Sequence, residues 1–242
     1  MYRLAFLLML VIAFPGCGGS DSGGSAPGPT TPTSPTATQT NRSPSITSVT
    51  VSPAFGVSGL TVISMSASAS DADNDSLSYS WSFAGSTATG PTVASTMTGD
   101  GIVTVTLTVS DGKGGTATDS RSVMVGTMTG RWGFIFTTTC SPNVPTILPV
   151  LTLNQFEGGV VTGDLASPAA WCNVPAGQTG KFDPAAPAKI DANGNFTGAR
   201  LKIGNYSDTM LTGTMDATGR TITGTTRSVS SGRTDTFRMT KQ

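Results

Sequence analysis

Residues 103–109 read VTVTLTV, with valine or leucine at every odd position and threonine at every even one. Successive side chains of a strand point to opposite faces, so this run lays an apolar face inward and a hydroxyl-bearing face outward. That is the pattern of an antiparallel sheet with one solvated side. The same alternation recurs in ISMSASA (63–69) and LSYSWSF (77–83). No stretch shows a sustained helical period between caps; Thr, Ser, Gly and Val dominate, and glutamate occurs once. The expected fold class is therefore all-β.

Between residues 44 and 126 the strands come at the spacing of a sandwich, with SITSVTVSP opening, GKGGTATDSRSVMV closing and turn residues between. The run DADNDSLSYSWSF, carrying Asp71, Asp73, Asp75, Leu77, Tyr79, Trp81 and Phe83, is followed later by VTLTVSDGKGG with Asp111 and Gly112. Together they resemble the polycystic kidney disease (PKD) repeat and related cadherin-like bacterial modules. The resemblance implies an immunoglobulin-like sandwich with Trp81 on a central strand, packed between the sheets. The chain reads WSFAGST where those repeats carry W-x-F-G-D-G, so no role tied to that loop transfers.

Asp71, Asp73 and Asp75 alternate, and alternate carboxylates with further oxygens nearby suit Ca²⁺, a hard cation that takes six to eight oxygen ligands. Asp111 is the fourth candidate ligand. The run is no EF-hand loop, since it lacks the glycine at the sixth place and the glutamate at the twelfth. Asp and Asn also start turns by bonding their own backbone, so a plain turn and a calcium site both stand at this point.

Residues 127–242 differ in charge, with ten Lys and Arg against seven acids, while residues 44–126 carry two against six. Short glycine-punctuated strands follow one another: GRWGFIFTT, ILPVLTLNQF, GVVTGDL, GKFDP, GNFTGARLKIG, TMLTGTMDATG, RTITGTTRSV and RTDTFRMT. Turn signals at Glu157-Gly158-Gly159, Asn193-Gly194-Asn195 and Thr218-Gly219 make them hairpins. Seven or eight such strands predict an up-and-down meander, and closure into a small β-barrel would remove its exposed edges. Gly130-Arg131-Trp132 resembles the G-x-W of lipocalin-like barrels, where that tryptophan closes the barrel bottom under an arginine from near the last strand. The resemblance gives that arginine's part to Arg238 and makes Trp132 a core residue.

The N-terminus has one positive charge, Arg3, and then eleven apolar residues, LAFLLMLVIAF (4–14). Eleven are too few to cross a hydrocarbon core, which needs about 20 helical residues, and the pattern is that of an export signal over residues 1–16. Gly16 and Cys17 end it in a way that resembles a bacterial lipoprotein signal, which implies lipid modification of Cys17 as the new N-terminus. The alternatives are ordinary cleavage nearby and no cleavage. Residues 17–43 are Gly/Ser-rich and then Pro/Thr-rich, with almost no apolar side chains, and are expected to be a disordered stalk. At about 3.1 Å per residue in extended polyproline form, it could reach roughly 80 Å from an anchor. With Cys17 set aside, Cys140 and Cys172 remain, and an exported chain makes a disulfide their default, worth about 3 to 4 kcal/mol if unstrained.

The chain contains no histidine, which removes Ser-His-Asp, Cys-His and histidine-rich zinc machinery. The routes to catalysis that stay open are an Asp–Asp pair made by folding and a Ser–Lys arrangement, and neither GKFDP nor AKIDANG resembles the latter. The expectation is a non-catalytic cell-envelope lipoprotein, membrane-bound through its lipid anchor, periplasmic or surface-exposed. Gly18 directly after Cys17 accords with the outer membrane under sorting rules known for some bacteria. The β-domain would be presented to a glycan, protein or matrix partner, and no nucleic-acid partner is expected. Trp171, beside Cys172, and Tyr206 are the candidate binding aromatics. The alternative is a small-ligand carrier with an apolar cavity inside the barrel.

Overall fold

The computed structural model describes residues 40–137, 149–170 and 174–242. The expected signal peptide, Cys17, the stalk up to residue 39, Cys140, Trp171 and Cys172 lie outside the described residues. Residues Thr40–Gln242 form one compact unit. It is almost wholly β, and the alternation in the sequence is the alternation of burial.

The first part is a sandwich of two sheets. One holds β1 (Ser45–Ser52), β3 (Val62–Ser70) and β6 (Thr92–Thr96), in the order β1-β3-β6. The other holds β2 (Phe55–Val57), β4 (Ser78–Phe83), β5 (Ser86–Thr89), β7 (Gly101–Ser110) and β8 (Thr116–Gly126), in the order β2-β8-β7-β4-β5. In β7, Val105, Leu107 and Val109 are buried while Thr104, Thr106 and Thr108 are not, as VTVTLTV requires. Trp81 is fully buried on β4, cross-strand from Leu107 and Ala88, and its indole N–H donates to the Gly90 carbonyl at 2.9 Å. Ile63, Met65 and Ala67 of the facing sheet complete this core.

The second part is a closed antiparallel barrel. Its strands are β9 (Gly130–Phe136), β10 (Val150–Gln155), β11 (Val160–Ser167), β12 (Gln178–Phe182), β13 (Ala188–Ile190), β14 (Asn195–Ile203), β15 (Ser207–Met215), β16 (Thr221–Ser228) and β17 (Thr234–Lys241). Each pairs with the next around the ring, and β17 closes it against β9 through Phe237↔Phe136, Met239↔Phe134 and Lys241↔Trp132. Strands β12 and β13 share one position between β11 and β14, so nine segments make eight staves. The segment AKI of β13 was not among the eight strands expected. Pro184 and Pro187, which have no N–H to give the ladder, split this stave in two.

The barrel is packed with its own side chains. Trp132, Phe134, Phe196 and Phe237 are its largest buried residues, with Leu151, Leu153, Leu211 and Met239 among them. Phe134 meets Phe136 edge-on at 5.2 Å between ring centroids and Phe237 at 5.7 Å. Trp132 is core, as the sequence implied, and its Nε1 donates to the Met128 carbonyl at 2.8 Å. The cation over its ring is not Arg238. The inward residues of β17 are Phe237, Met239 and Lys241, and Arg238 falls on the outward parity and is exposed. Lys241 takes the place instead, with Nζ 5.5 Å from the indole centroid.

The sandwich reaches into the end of this core. Val57, at the close of β2, is 1 % exposed and belongs to the barrel's apolar cluster, with Phe55 and Leu60 packed against it. Gln155 binds the two parts from the barrel side: its Oε1 accepts from the Met128 N–H (2.9 Å) and its Nε2 donates to the Ser58 carbonyl (3.0 Å). Lys241, only 6 % exposed in its side chain, donates to the Thr127 carbonyl and pairs with Asp100 of the sandwich at 2.8 Å. Gly159 allows the contact below: its φ is +76°, and a Cβ there would lie 2.0 Å from the Ile190 carbonyl and 3.0 Å from Leu60.

Candidate functional site

At the sandwich end far from the barrel, the loop after β3 carries Asp71 and Asp75, and Asp111 directly follows β7. One oxygen from each of these three lies within 4.8 Å of the other two. The described chain enters at the same place. The Asn41 amide donates to Asp111 Oδ2 at 2.8 Å, and the Arg42 N–H donates to Asp73 Oδ2 at 2.8 Å. Asp73 therefore sits beside the group of three, holding the entering chain.

Asp111 is 4 % exposed and built in by its own turn, because its Oδ1 accepts from the N–H groups of Lys113 (2.7 Å) and Gly115 (2.9 Å). Gly115 is required by close approach, since a Cβ would fall 2.1 Å from Asp111 Oδ2. The hydrogen bond from Asn41, with help from the two backbone N–H groups, holds the Asp111 carboxyl below its ordinary value against the opposing effect of burial. Asp71 Oδ1 accepts from the N–H groups of Asp73 (2.8 Å) and Asp75 (3.3 Å), which is the turn-forming role read in the sequence. Asp75 gives its Oδ1 to the Lys113 ammonium, and that hydrogen bond raises the Lys113 pKa.

The Asp71 turn uses Oδ1 and leaves Oδ2, so a turn does not exclude a ligand role there, whereas both Asp111 oxygens are engaged, Oδ1 by its own turn and Oδ2 by Asn41. Asp71 Oδ2 and Asp75 Oδ2 are buried and have no hydrogen-bond partner. Four carboxylates, Asp71, Asp73, Asp75 and Asp111, face two cations, Arg42 and Lys113, leaving two negative charges. Unpartnered buried carboxylate oxygens are costly, and a hard divalent cation coordinated by oxygen is the group whose chemistry answers both facts. The residues that could hold such a cation, Ca²⁺ by the chemistry of an all-oxygen donor set, are Asp71 and Asp75 through their unpartnered oxygens, with Asp111 beside them. Sequence reasoning missed Asn41 and Lys113. Asn41 belongs to a low-complexity run, and Lys113 reads as an ordinary turn residue.

A calcium titration of the intact protein is expected to give one-site binding heat. At about 100 times Kd, Ca²⁺ stabilises by ~2.7 kcal/mol, a rise of about 5–10 °C in Tm for a unit of this size. Asp71→Asn keeps an oxygen for the turn but replaces the unpartnered one by an amide, and should remove both signals. A flat titration of the wild type would end the calcium reading.

Tyr206, on the turn between β14 and β15, is 53 % exposed at the barrel end opposite Val57. On the outer wall nearby, Arg200 makes a two-point contact with Asp208 (2.8 and 2.7 Å), and Lys202 pairs with Asp183 at 2.8 Å. The hydrogen bond from Arg200 holds Asp208 below the ordinary carboxylate value, and that from Lys202 does the same for Asp183.

The chain is an all-β protein in which a β-sandwich is followed by a closed eight-stave antiparallel barrel. Residues 41–125 match the PKD domain family. No curated protein sequence matches the chain. Among solved structures, the chain is similar to a carbohydrate-binding module of the β-sandwich superfamily at 15 % identity and a TM-score of 0.34, over 84 % of this chain and 93 % of that one.

Proposed function

We propose that this is a non-catalytic cell-envelope lipoprotein that displays a rigid pair of β-domains for binding or adhesion to an envelope or matrix partner. The carrying observation is the barrel interior, where Trp132, Phe134, Phe196 and Phe237 occupy the space a ligand would need. A carrier requires an apolar lumen, so recognition by this protein belongs to its outer surface. The absence of histidine and the single glutamate of the sequence support the non-catalytic reading. The N-terminal signal ending at Cys17 supports anchorage, and the stalk supports presentation away from a membrane.

In a cell fractionation the wild type is expected in the membrane fraction, released by detergent, with Cys17→Ser in the soluble fraction. A soluble wild type whose mature N-terminus shows an intact Cys17 thiol by mass spectrometry would refute the anchor.

A further inference from the structure

The seam between sandwich and barrel carries an open groove on its outer side. Ser58 and Asp100 come from the sandwich wall, Thr129, Gln155, Phe156 and Glu157 from the barrel wall. Phe156 is 55 % exposed, and it is held out by its backbone. Its N–H donates to the Val160 carbonyl (2.8 Å) and its own carbonyl accepts from Gly159 (3.1 Å), so the ring stands on a fixed turn. Glu157, the only glutamate of the sequence, follows directly on the same turn and makes no hydrogen bond to a described residue.

The floor is already fastened. Gln155 spans the seam to the Ser58 carbonyl, and the Thr129 hydroxyl accepts from the Gln155 N–H at 3.0 Å. Ser58 Oγ accepts from Gly99, and Lys241 neutralises Asp100 through one oxygen, Oδ2, from beneath. What faces outward is therefore an aromatic ring flanked by carboxylate and hydroxyl acceptors on a prearranged base, in the kind of interdomain cleft where ligands bind.

We propose that this groove binds a pyranose unit of a glycan. A pyranose has an apolar C–H face for the Phe156 ring and a rim of hydroxyls that donate to Glu157 and Asp100, so both halves of the lining are used. The proposal rests on the display reading and deepens it by naming the ligand class and the place. It assigns recognition to Phe156 and Glu157, with Asp100 as the second acceptor, and leaves Tyr206 at the far tip outside the site.

The test is calorimetric binding of the intact protein to three soluble hexasaccharides: the β-1,4-glucan, chitin and mannan oligomers. At least one should bind saturably, about tenfold more weakly in Phe156→Ala and in Glu157→Gln, and unchanged in Tyr206→Ala. Phe156→Ala removes an exposed ring, so its melting curve should match the wild type and separate lost binding from lost folding. No binding of any hexasaccharide, or binding that Phe156→Ala leaves intact, overturns the groove. Loss in Tyr206→Ala alone also overturns it but leaves the display reading standing, whereas a soluble wild type in fractionation overturns the anchor and not the groove.

Discussion

Trp132→Ala is expected to lower the unfolding free energy by about 3–5 kcal/mol, the range for deleting a buried aromatic side chain. For a unit of this size that is a fall of about 6–20 °C in Tm. Three losses combine at this residue. The indole is fully buried, so its removal leaves a hole in a core walled by strands that cannot collapse inward without opening the ring. The Met128 carbonyl loses its donor. Lys241, whose side chain is 6 % exposed, loses the ring face beneath its ammonium, worth about 0.5–2 kcal/mol. Arg238→Ala is the matched control. It alters the residue that the lipocalin-like motif pointed to, yet it should shift Tm by no more than about 1–2 °C, since it lies on the outer wall. Equal effects for the two variants in a thermal melt would contradict the assignment of Lys241.

The second large effect belongs to Val57→Asp. Val57 is a residue of the sandwich by sequence and of the barrel by packing, so a carboxylate there is placed in an apolar core with no partner. An uncompensated buried charge costs about 3–5 kcal/mol, and here the protein can escape the cost by parting at the seam. The wild type should therefore melt in one calorimetric transition. Val57→Asp should melt in two, with the barrel's the lower. Val57→Ala, which deletes volume without adding charge, should keep the single transition. Two transitions already in the wild type, or one at unchanged Tm in Val57→Asp, would show that the shared core does not couple the two parts.

Much of this architecture was legible because the surface of each sheet is written in Ser and Thr. The strict alternation around Trp81 and Leu107 identified inward and outward faces of the sandwich without recourse to its tertiary contacts. The barrel's hairpins followed from glycine turns, and Gly194 and Gly219 do adopt the positive φ that hairpin turns use. Strand β13 was missed because three residues between a proline and a turn carry no detectable period. The placing of Arg238 over Trp132 failed on parity, which a three-residue motif cannot convey but a register can. The shared core escaped for a different reason. Phe55, Val57 and Leu60 are ordinary apolar residues, and nothing in their local pattern says which of two cores they fill.

Of the candidate sites, the aspartate run was read as ligands or as a turn, and the structure shows the turn at Asp71 Oδ1 and leaves Oδ2 buried without a hydrogen-bond partner. Asp73 could not be separated from its neighbours by spacing, because side chains in a loop do not alternate as they do in a strand. The groove at the seam was invisible to sequence reasoning, since Asp100 and Glu157 come from different parts of the chain and meet only through the joint that Gln155 and Lys241 make.

Strands β7 and β8 pair over ten residues, from Gly101↔Val125 beside the barrel to Ser110↔Thr116 beside the aspartates. In a chain anchored as proposed and gripped by a partner through the groove or the barrel, tension enters at residue 40 and leaves through Gly126. The chain through β1 and β2 is then pulled from the aspartate end and β8 from the barrel end, so the parallel rungs from Phe55↔Met124 to Val57↔Gly126 are strained side by side and must give way together instead of one by one. If the chain is tethered as proposed, the sandwich resists most along the line of pull.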